Sequence, residues 1–502
     1  MTLSKTFFSQ HAGLATEQPL ASLAGLDILR RGGNAIDAAV AASLTLCVTL
    51  PNCCGLGGDF FALVYEAKTG RVHCLNSSGP APSGLTLELL ASKGEERVPL
   101  YGPLSVVVPG YVAGISALHK RFGKSNFEKS FSSAVTYSKK GFPASEGLAR
   151  SIRAVGSGFS DSAKSVYIPT GKPPFAGDTI AQSSLGRTIE AVARGGAEAF
   201  YNGPPAEQIV GRLNDSGIPA QKRDFRTFRP EWVAPLRLNY RGTEVYEFPP
   251  NSMGATSLLM LKALESHDLS RAKPLSWERV NTMMKAAEMA YTRKDAILGD
   301  PRFGDIDLVS FMDLEGQAEV STSRAKEGDT TAFSVIDGEG NIVSGIQSLF
   351  HHFGSRVFVE GCGVMMSNRG AGFSTSGPNK LEPGKRPLHT LSSMLLDSGD
   401  GPSTSIGCSG GDLRPMQHAL FVTNIVDYHM SLEQAIDHPR FLRTGPGQML
   451  AEGGYGDLSG LPYEIQRLPH PGPTGVCQGI QVLDGSLESV CDVRGDGLPS
   501  GY

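Results

Sequence analysis

Residues 327–353 read EGDTTAFSVIDGEGNIVSGIQSLFHHF, and the rest of the chain is organised around them. The alternation of Thr331, Phe333 and Val335 predicts one strand, and the apolar run 342–350 predicts a second. The residues between them, with two Gly, one Asp and one Asn, form a turn, so the stretch is a β-hairpin. Pairing Ile336 with Ile342 across that turn places Thr330 opposite Ser348, and two hydroxyls meet at the open end of the ribbon. Gly328-Asp329, directly before Thr330, is a flexible, turn-prone junction at which a chain can be bent and cut.

Outside the hairpin, composition sets limits. The 502 residues are 40% hydrophobic and 19% charged, the balance of a globular enzyme with a large core. The 61 glycines and 32 prolines predict many tight turns and close backbone approaches. A net charge of −4 argues against a nucleic-acid partner. No apolar run reaches membrane-spanning length, and the opening MTLSKTFFSQHAGLATEQ lacks the apolar core of a signal peptide, so a cytoplasmic protein without a membrane partner is expected. Eight cysteines are too sparse for a disulfide scaffold, and reduced thiols are predicted. His351 and His352, as neighbours on a strand, point to opposite faces and cannot share an ion; no metal and no cofactor is expected.

Further elements follow from spacing. Residues 19–29 repeat apolar positions at helical intervals and stop at Gly32-Gly33; Asn34 caps a second helix, 35–50, so rich in Ala and Val that it is buried on most sides. Gly55-Leu56-Gly57-Gly58-Asp59 leads into a strand at 61–65, and a phosphate-loop reading fails for want of the Lys-Ser/Thr pair. Val108-Pro109-Gly110 opens a helix ending near Phe122-Gly123. Residues 403–406 predict a strand that runs into Gly407-Cys408-Ser409-Gly410-Gly411-Asp412, with a helix over 415–428.

These blocks carry a family resemblance. Thr330-Thr331-Ala332-Phe333-Ser334-Val335, with Asp337-Gly338 and Gly340-Asn341, resembles the processing site of the γ-glutamyltransferase family of N-terminal nucleophile hydrolases. Gly32-Gly33-Asn34-Ala35-Ile36-Asp37-Ala38-Ala39 is similar to its N-terminal signature, and the glycine-rich loop, Pro249-Pro250-Asn251-Ser252, Leu298-Gly299-Asp300-Pro301 and Asp492 with Arg494-Gly495-Asp496-Gly497 continue in the family's order. The resemblance covers essentially the whole chain. It implies an α/β (α+β) protein, a four-layer αββα sandwich built from two chains after self-cleavage between Asp329 and Thr330. Residues 1–329 become the large subunit and 330–502 the small one, together one structural domain.

The chemistry implied is coherent in itself. A Thr hydroxyl is a weak nucleophile at neutral pH, but a freed α-amino group titrates near pH ~8 and serves as its base. Thr330 is thus nucleophile and, through its amine, base. By the resemblance Ser348 takes the place of the family's second Thr as hydroxyl partner, and Gly410 and Gly411 form the oxyanion hole. The substrate implied is a small-molecule γ-glutamyl amide, glutathione or a glutathione conjugate, whose acyl group passes to water or an amine.

The acyl pocket departs from the family pattern. The family's carboxylate-binding Arg falls at Ser78, an Asn falls at Phe350, and an acid falls at Gly372; the paired Ser falls at His389-Thr390. Charged and polar groups are exchanged for neutral ones, while Arg369 offers a forked guanidinium that can hold a carboxylate. An acylase for a dicarboxylic or aryl acyl amide is therefore carried beside the γ-glutamyl reading. Gly407-Cys408-Ser409-Gly410-Gly411 also spells the G-x-S-x-G elbow of serine hydrolases, with Asp427 and His438 as candidate partners of Ser409. A pseudoenzyme that keeps the sandwich without cleaving is the remaining alternative.

Overall fold

Asp329–Ile336 pairs with Ile342–Phe350 in the expected register, Ile336 opposite Ile342 and Thr331 opposite Gln347. The structure is a computed structural model that describes residues 5–315 and 328–502. Glu327, the first residue of the predicted hairpin, and residues 1–4 at the start of the chain lie outside the described residues. One feature of the hairpin is not in the periodicity: a bulge shifts the ladder beyond Thr331, so that Asp329 faces Phe350. Bulges re-aim side chains next to functional sites, and this one falls on Thr330. Phe350 has φ +84°, a backbone conformation that costs a bulky residue about 1–3 kcal/mol and ends the strand there. His351 and His352 consequently lie in a turn rather than on the strand, which corrects the geometry expected for them; His351 Nδ1 lies 3.1 Å from Asn368 Nδ2, and His352 Nδ1 3.0 Å from Asp329 Oδ2.

The hairpin is the centre of a seven-stranded sheet, in the order Leu498–Gly501, Gly13–Thr16, Asp329–Ile336, Ile342–Phe350, Asp59–Glu66, Arg71–Ser77 and Glu231–Val233. A second seven-stranded sheet packs on it, in the order Thr6–Ser9, Ser486–Cys491, Cys477–Leu483, Pro402–Cys408, Ser393–Asp397, Thr243–Glu247 and Leu236–Tyr240. Phe61, Phe248, Ala332, Ile346, Leu395 and Ile480 fill the space between. Two polar links cross the same space: Ser334 Oγ meets Ser405 Oγ at 2.7 Å, and Ser393 Oγ donates to the Ser344 carbonyl at 3.2 Å.

Helices cover both outer faces. Pro19–Arg30, Ala35–Thr49, Tyr111–Phe122 and Ser183–Tyr201 belong to the core behind the hairpin sheet, and Gly254–Leu264, Trp277–Ile297 and Arg414–Val426 to the core behind the other. The result is the four-layer αββα sandwich. Every residue of Ala35–Thr49 is buried, as its Ala and Val content requires, and Asn34 and Asp37 cap its start reciprocally. No helix among the described residues is long and apolar enough to cross a membrane.

Candidate active site

Cross-strand neighbours point to the same face, so the register sets Ser348 beside Asp59, and the bulge leaves Thr330 outside the ladder but within reach of Ser348. Thr330, Ser348 and Asp59 stand on three adjacent strands at one end of the hairpin sheet, on the face that meets the second sheet. All three are buried.

The hydroxyls form a chain. Thr330 Oγ1 donates to Ser348 Oγ at 3.2 Å, and Ser348 Oγ donates to the carbonyl oxygen of Asp329 at 2.7 Å. The Phe350 N–H donates to Ser348 Oγ at 2.6 Å and fixes its direction. The carbonyl that accepts at the end of this chain belongs to the peptide bond preceding Thr330. Gly411, at the turn that follows a strand of the second sheet, approaches the same junction, since a Cβ built on Gly328 would lie 3.1 Å from Gly411 Cα, while Gly410 beside it faces the Gln417 side chain. Gly410 has φ +131° and Gly411 φ +57°, conformations that glycine adopts without strain.

The glycine-rich loop has a packing role here. A Cβ on Gly58 would lie 2.3 Å from the Ser348 carbonyl oxygen, so the loop presses on the backbone of the strand that carries the second hydroxyl.

Arg369 points inward and is buried at 1% exposure, which decides between an interior and a surface guanidinium. Its Nη1 donates to Thr390 Oγ1 at 2.9 Å, its Cζ stands 4.1 Å above the Phe350 ring, and its Nε lies 3.8 Å from Asp59 Oδ2. Neither Nε nor Nη2 reaches a hydrogen-bond acceptor. His389 Nδ1 accepts the Leu391 N–H at 3.1 Å, which leaves the proton on Nε2, 3.0 Å from Asp59 Oδ2. Burial, aided by the charge of Arg369, pushes the His389 pKa down to about 3, so the ring is neutral at physiological pH. Arg369, Thr390, Phe350 and His389 thus form one cluster beside the hydroxyl pair.

Ser78 is buried and engaged outside that cluster: its Oγ donates to Asn76 Oδ1 at 2.7 Å and accepts from Asn251 Nδ2 at 3.2 Å. The serine-hydrolase arrangement does not form. Ser409 Oγ accepts the Val476 N–H at 2.7 Å, Asp427 is bound to Tyr240 and Arg241, and His438 Nδ1 faces the Pro439 carbonyl. Among the described residues, no group of three His, Cys, Asp or Glu could hold a metal ion.

Sequence reading assigned no part to three residues of this region. Asp59 ties Arg369, His389 and, through Oδ1, the Gly79 N–H at 2.8 Å; an acid opening a strand that is otherwise apolar was its signal. Arg414 is buried one turn beyond Gly410-Gly411 and donates from Nε to the Cys408 carbonyl at 2.7 Å; an Arg heading an apolar helix could have marked it. Glu17 is buried beside Thr331, and burial pushes its pKa up to about 8. No local pattern announces that last contact.

Comparison with known proteins gives the family and the fold. The family model described as Gamma-glutamyltranspeptidase matches residues 21–502. The chain is 34% identical to a glutathione hydrolase-like proenzyme of Bacillus subtilis, over 96% of this chain and 97% of that one. It is 28% identical to an oxamate amidohydrolase proenzyme of Klebsiella pneumoniae, over 98% and 99%. Among solved structures, a cephalosporin acylase from Bacillus halodurans superposes with a TM-score of 0.93 at 31% identity, covering 100% of this chain and 98% of that one.

Proposed function

The chain belongs to the gamma-glutamyltranspeptidase family of enzymes acting on amides, and from that premise we propose that it is a self-processing threonine amidohydrolase or acyltransferase in which Thr330 is the nucleophile. The observation that carries the reading is the hydroxyl chain from Thr330 through Ser348 to the Asp329 carbonyl. As the Thr330 oxygen adds to that carbonyl carbon, its proton passes to Ser348 while Ser348 gives its own to the developing oxyanion. The tetrahedral centre collapses with cleavage of the C–N bond, the amine takes up a proton, and an ester joins Asp329 to Thr330 Oγ1. Water hydrolyses the ester and leaves the Asp329 carboxylate and a free Thr330.

Turnover then repeats the chemistry on a foreign amide. The Thr330 amine takes the hydroxyl proton as Thr330 Oγ1 adds to the amide carbon, and the Gly410-Gly411 backbone supports the oxyanion. Collapse breaks the substrate C–N bond, the proton passing from the Thr330 amine to the departing amine and the acyl group remaining as an ester on Thr330. Water or an amine resolves the acyl-enzyme. Two acyl groups fit: γ-glutamyl, as in glutathione, which the family and the glutathione hydrolase-like relative suggest, and a carboxylated acyl chain without an amine, which the altered pocket around Arg369 favours.

Intact mass under denaturing conditions, with identification of each N-terminus, tests the assignment. Wild type is expected as two chains, the smaller beginning at Thr330, and Thr330→Ala as one. A single uncut wild-type chain without amidase activity would sink it, and an uncut chain inactivated by Ser409→Ala would move the chemistry to the serine.

A further inference from the structure

The side chain on the acyl side of the proposed cut is itself held. His352 Nδ1 lies 3.0 Å from Asp329 Oδ2, and both side chains are partly exposed. A carboxylate oxygen only accepts, so Nδ1 carries the proton and donates it. Burial, aided by the charge of Arg150, draws the His352 pKa down to about 4, so at neutral pH the donor is a neutral ring. Asn52 Nδ2 stands farther from the same nitrogen, at 3.4 Å. Glu17, the other acid that feels Asp329, is pushed up to about 8 by burial, so the charge that needs placing at this junction is that of the Asp329 carboxylate.

A strained turn brings the ring there. The strand Ile342–Phe350 ends on Phe350 at φ +84°, and Phe353 follows at φ +57°. Such conformations on bulky residues persist only where the surroundings over-determine them. Here they do: the Phe353 N–H donates to the Asn52 carbonyl at 2.9 Å, the His351 N–H donates to Asn368 Oδ1 at 3.1 Å, and the Phe353 ring packs against Phe159 and Tyr167. His352 is thereby anchored to the body of the fold, whereas Asp329 follows Gly328, the residue type with the widest backbone freedom. The anchored partner sets the direction of the other.

Direction matters at this residue. Asp side chains readily turn back on neighbouring backbone groups. An Asp329 carboxylate that swung onto its own carbonyl would oppose the negative charge that develops on that oxygen during addition, and would disturb the carbonyl that now accepts from Ser348 Oγ at 2.7 Å.

Resting on the proposed self-cleavage at Thr330, we infer that His352 is a positioning residue for that step: its Nδ1–H clamps the Asp329 side chain, keeping the scissile carbonyl on Ser348 and the carboxylate away from the developing oxyanion. The ring takes no part in proton transfer, so its worth lies wholly in the Asp329 carboxylate it restrains.

That dependence is the test. Self-cleavage of the full chain is followed by denaturing gel in wild type, His352→Ala, His352→Asn, Asp329→Ala and the double variant Asp329→Ala/His352→Ala. His352→Ala should cleave about 10- to 100-fold more slowly than wild type. His352→Asn, whose amide N–H stands in for Nδ1–H, should recover most of that loss. Whatever the rate of Asp329→Ala, adding His352→Ala to it should cost nothing further, which is the coupling a clamp requires. Equal losses from His352→Ala with and without the Asp329 carboxylate would make the ring a structural support and overturn the inference, as would wild-type speed in His352→Ala or an Asn variant no faster than the Ala one. The uncut Thr330→Ala protein gives a reading that keeps the ring in place. Nitrogen NMR of its isotope-labelled histidines should find His352, identified by its loss in His352→Asn, protonated at Nδ1, and moved to Nε2 when Asp329→Ala is added. If wild type stays whole, the self-cleavage reading falls and this tautomer alone decides the clamp: Nδ1 upholds it and Nε2 overturns it.

Discussion

At the residue scale, the arrangement turns on a serine where a threonine would serve as well. Ser348 accepts from Thr330 and from the Phe350 N–H and donates to the Asp329 carbonyl, so its oxygen joins the proposed nucleophile to the bond proposed to be cut. Ser348→Ala should slow self-cleavage by about 100-fold or more, because a positioned proton-transfer group and a carbonyl hydrogen bond are lost together. Ser348→Thr should cleave at a rate near wild type. The uncut fraction followed by denaturing gel over time reads both, and rapid cleavage of the Ala variant would remove Ser348 from the mechanism. Glu17 gives a second residue-scale test through linkage. Burial raises its pKa from 4.5 to about 8, so between those values the folded state holds a proton that the unfolded state has released. Stability contributed by this group is therefore full below about pH 4.5 and is lost as pH rises toward 8. Glu17→Gln should match wild type near pH 4 and exceed it by about 1–3 kcal/mol at pH 8. Denaturant titrations at the two pH values check this, and a pH-independent difference would mean that Glu17 is ionised in the fold.

At the element scale, the site depends on backbone pressed against backbone. The loop Gly55-Leu56-Gly57-Gly58 lies on the strand of Ser348, and an added Cβ at Gly58 would overlap the Ser348 carbonyl at 2.3 Å. Neither side can yield without moving the second hydroxyl. Gly58→Ala should destabilise the fold by about 1–3 kcal/mol and retard self-cleavage more than that loss explains. Equal cleavage rates in Gly58→Ala and wild type would show that the loop does not position Ser348. This contact also marks the limit of what could be read from the chain. The hairpin, its register and the facing of Thr330 and Ser348 follow from two-residue periodicity and turn chemistry, which are local. So do the buried helix at 35–49 and the strand–turn–helix around Gly410. The bulge at Thr330 and the positive φ of Phe350 are imposed by packing between strands, and they moved His351 and His352 off the strand on which spacing placed them. The meeting of Asp59, Arg369 and His389 joins residues up to 330 positions apart, and no window of sequence contains it.

At the scale of the whole molecule, the proposed cut between Asp329 and Thr330 divides a fold whose two parts are interleaved. In the hairpin sheet, Gly13–Thr16 of the first part lies between Leu498–Gly501 and Asp329–Ile336, nearly all of which belongs to the second. In the other sheet, Thr6–Ser9 flanks one edge and Thr243–Glu247 with Leu236–Tyr240 the other, around four strands from after the cut. Breaking one peptide bond at the end of the hairpin removes none of these ladders and none of the apolar layer between the sheets. The two pieces should therefore remain together as a single species of about the uncut mass, 53.2 kDa, on gel filtration. Their unfolding, however, becomes a dissociation, and mass action then enters. The denaturant midpoint of the cut protein should rise with protein concentration, whereas that of uncut Thr330→Ala should not. Separation of the pieces on dilution without denaturant would mean that the interleaved strands do not hold the halves. A midpoint independent of concentration in the cut protein would mean that one piece carries the cooperative fold alone, which no sheet built from both parts permits.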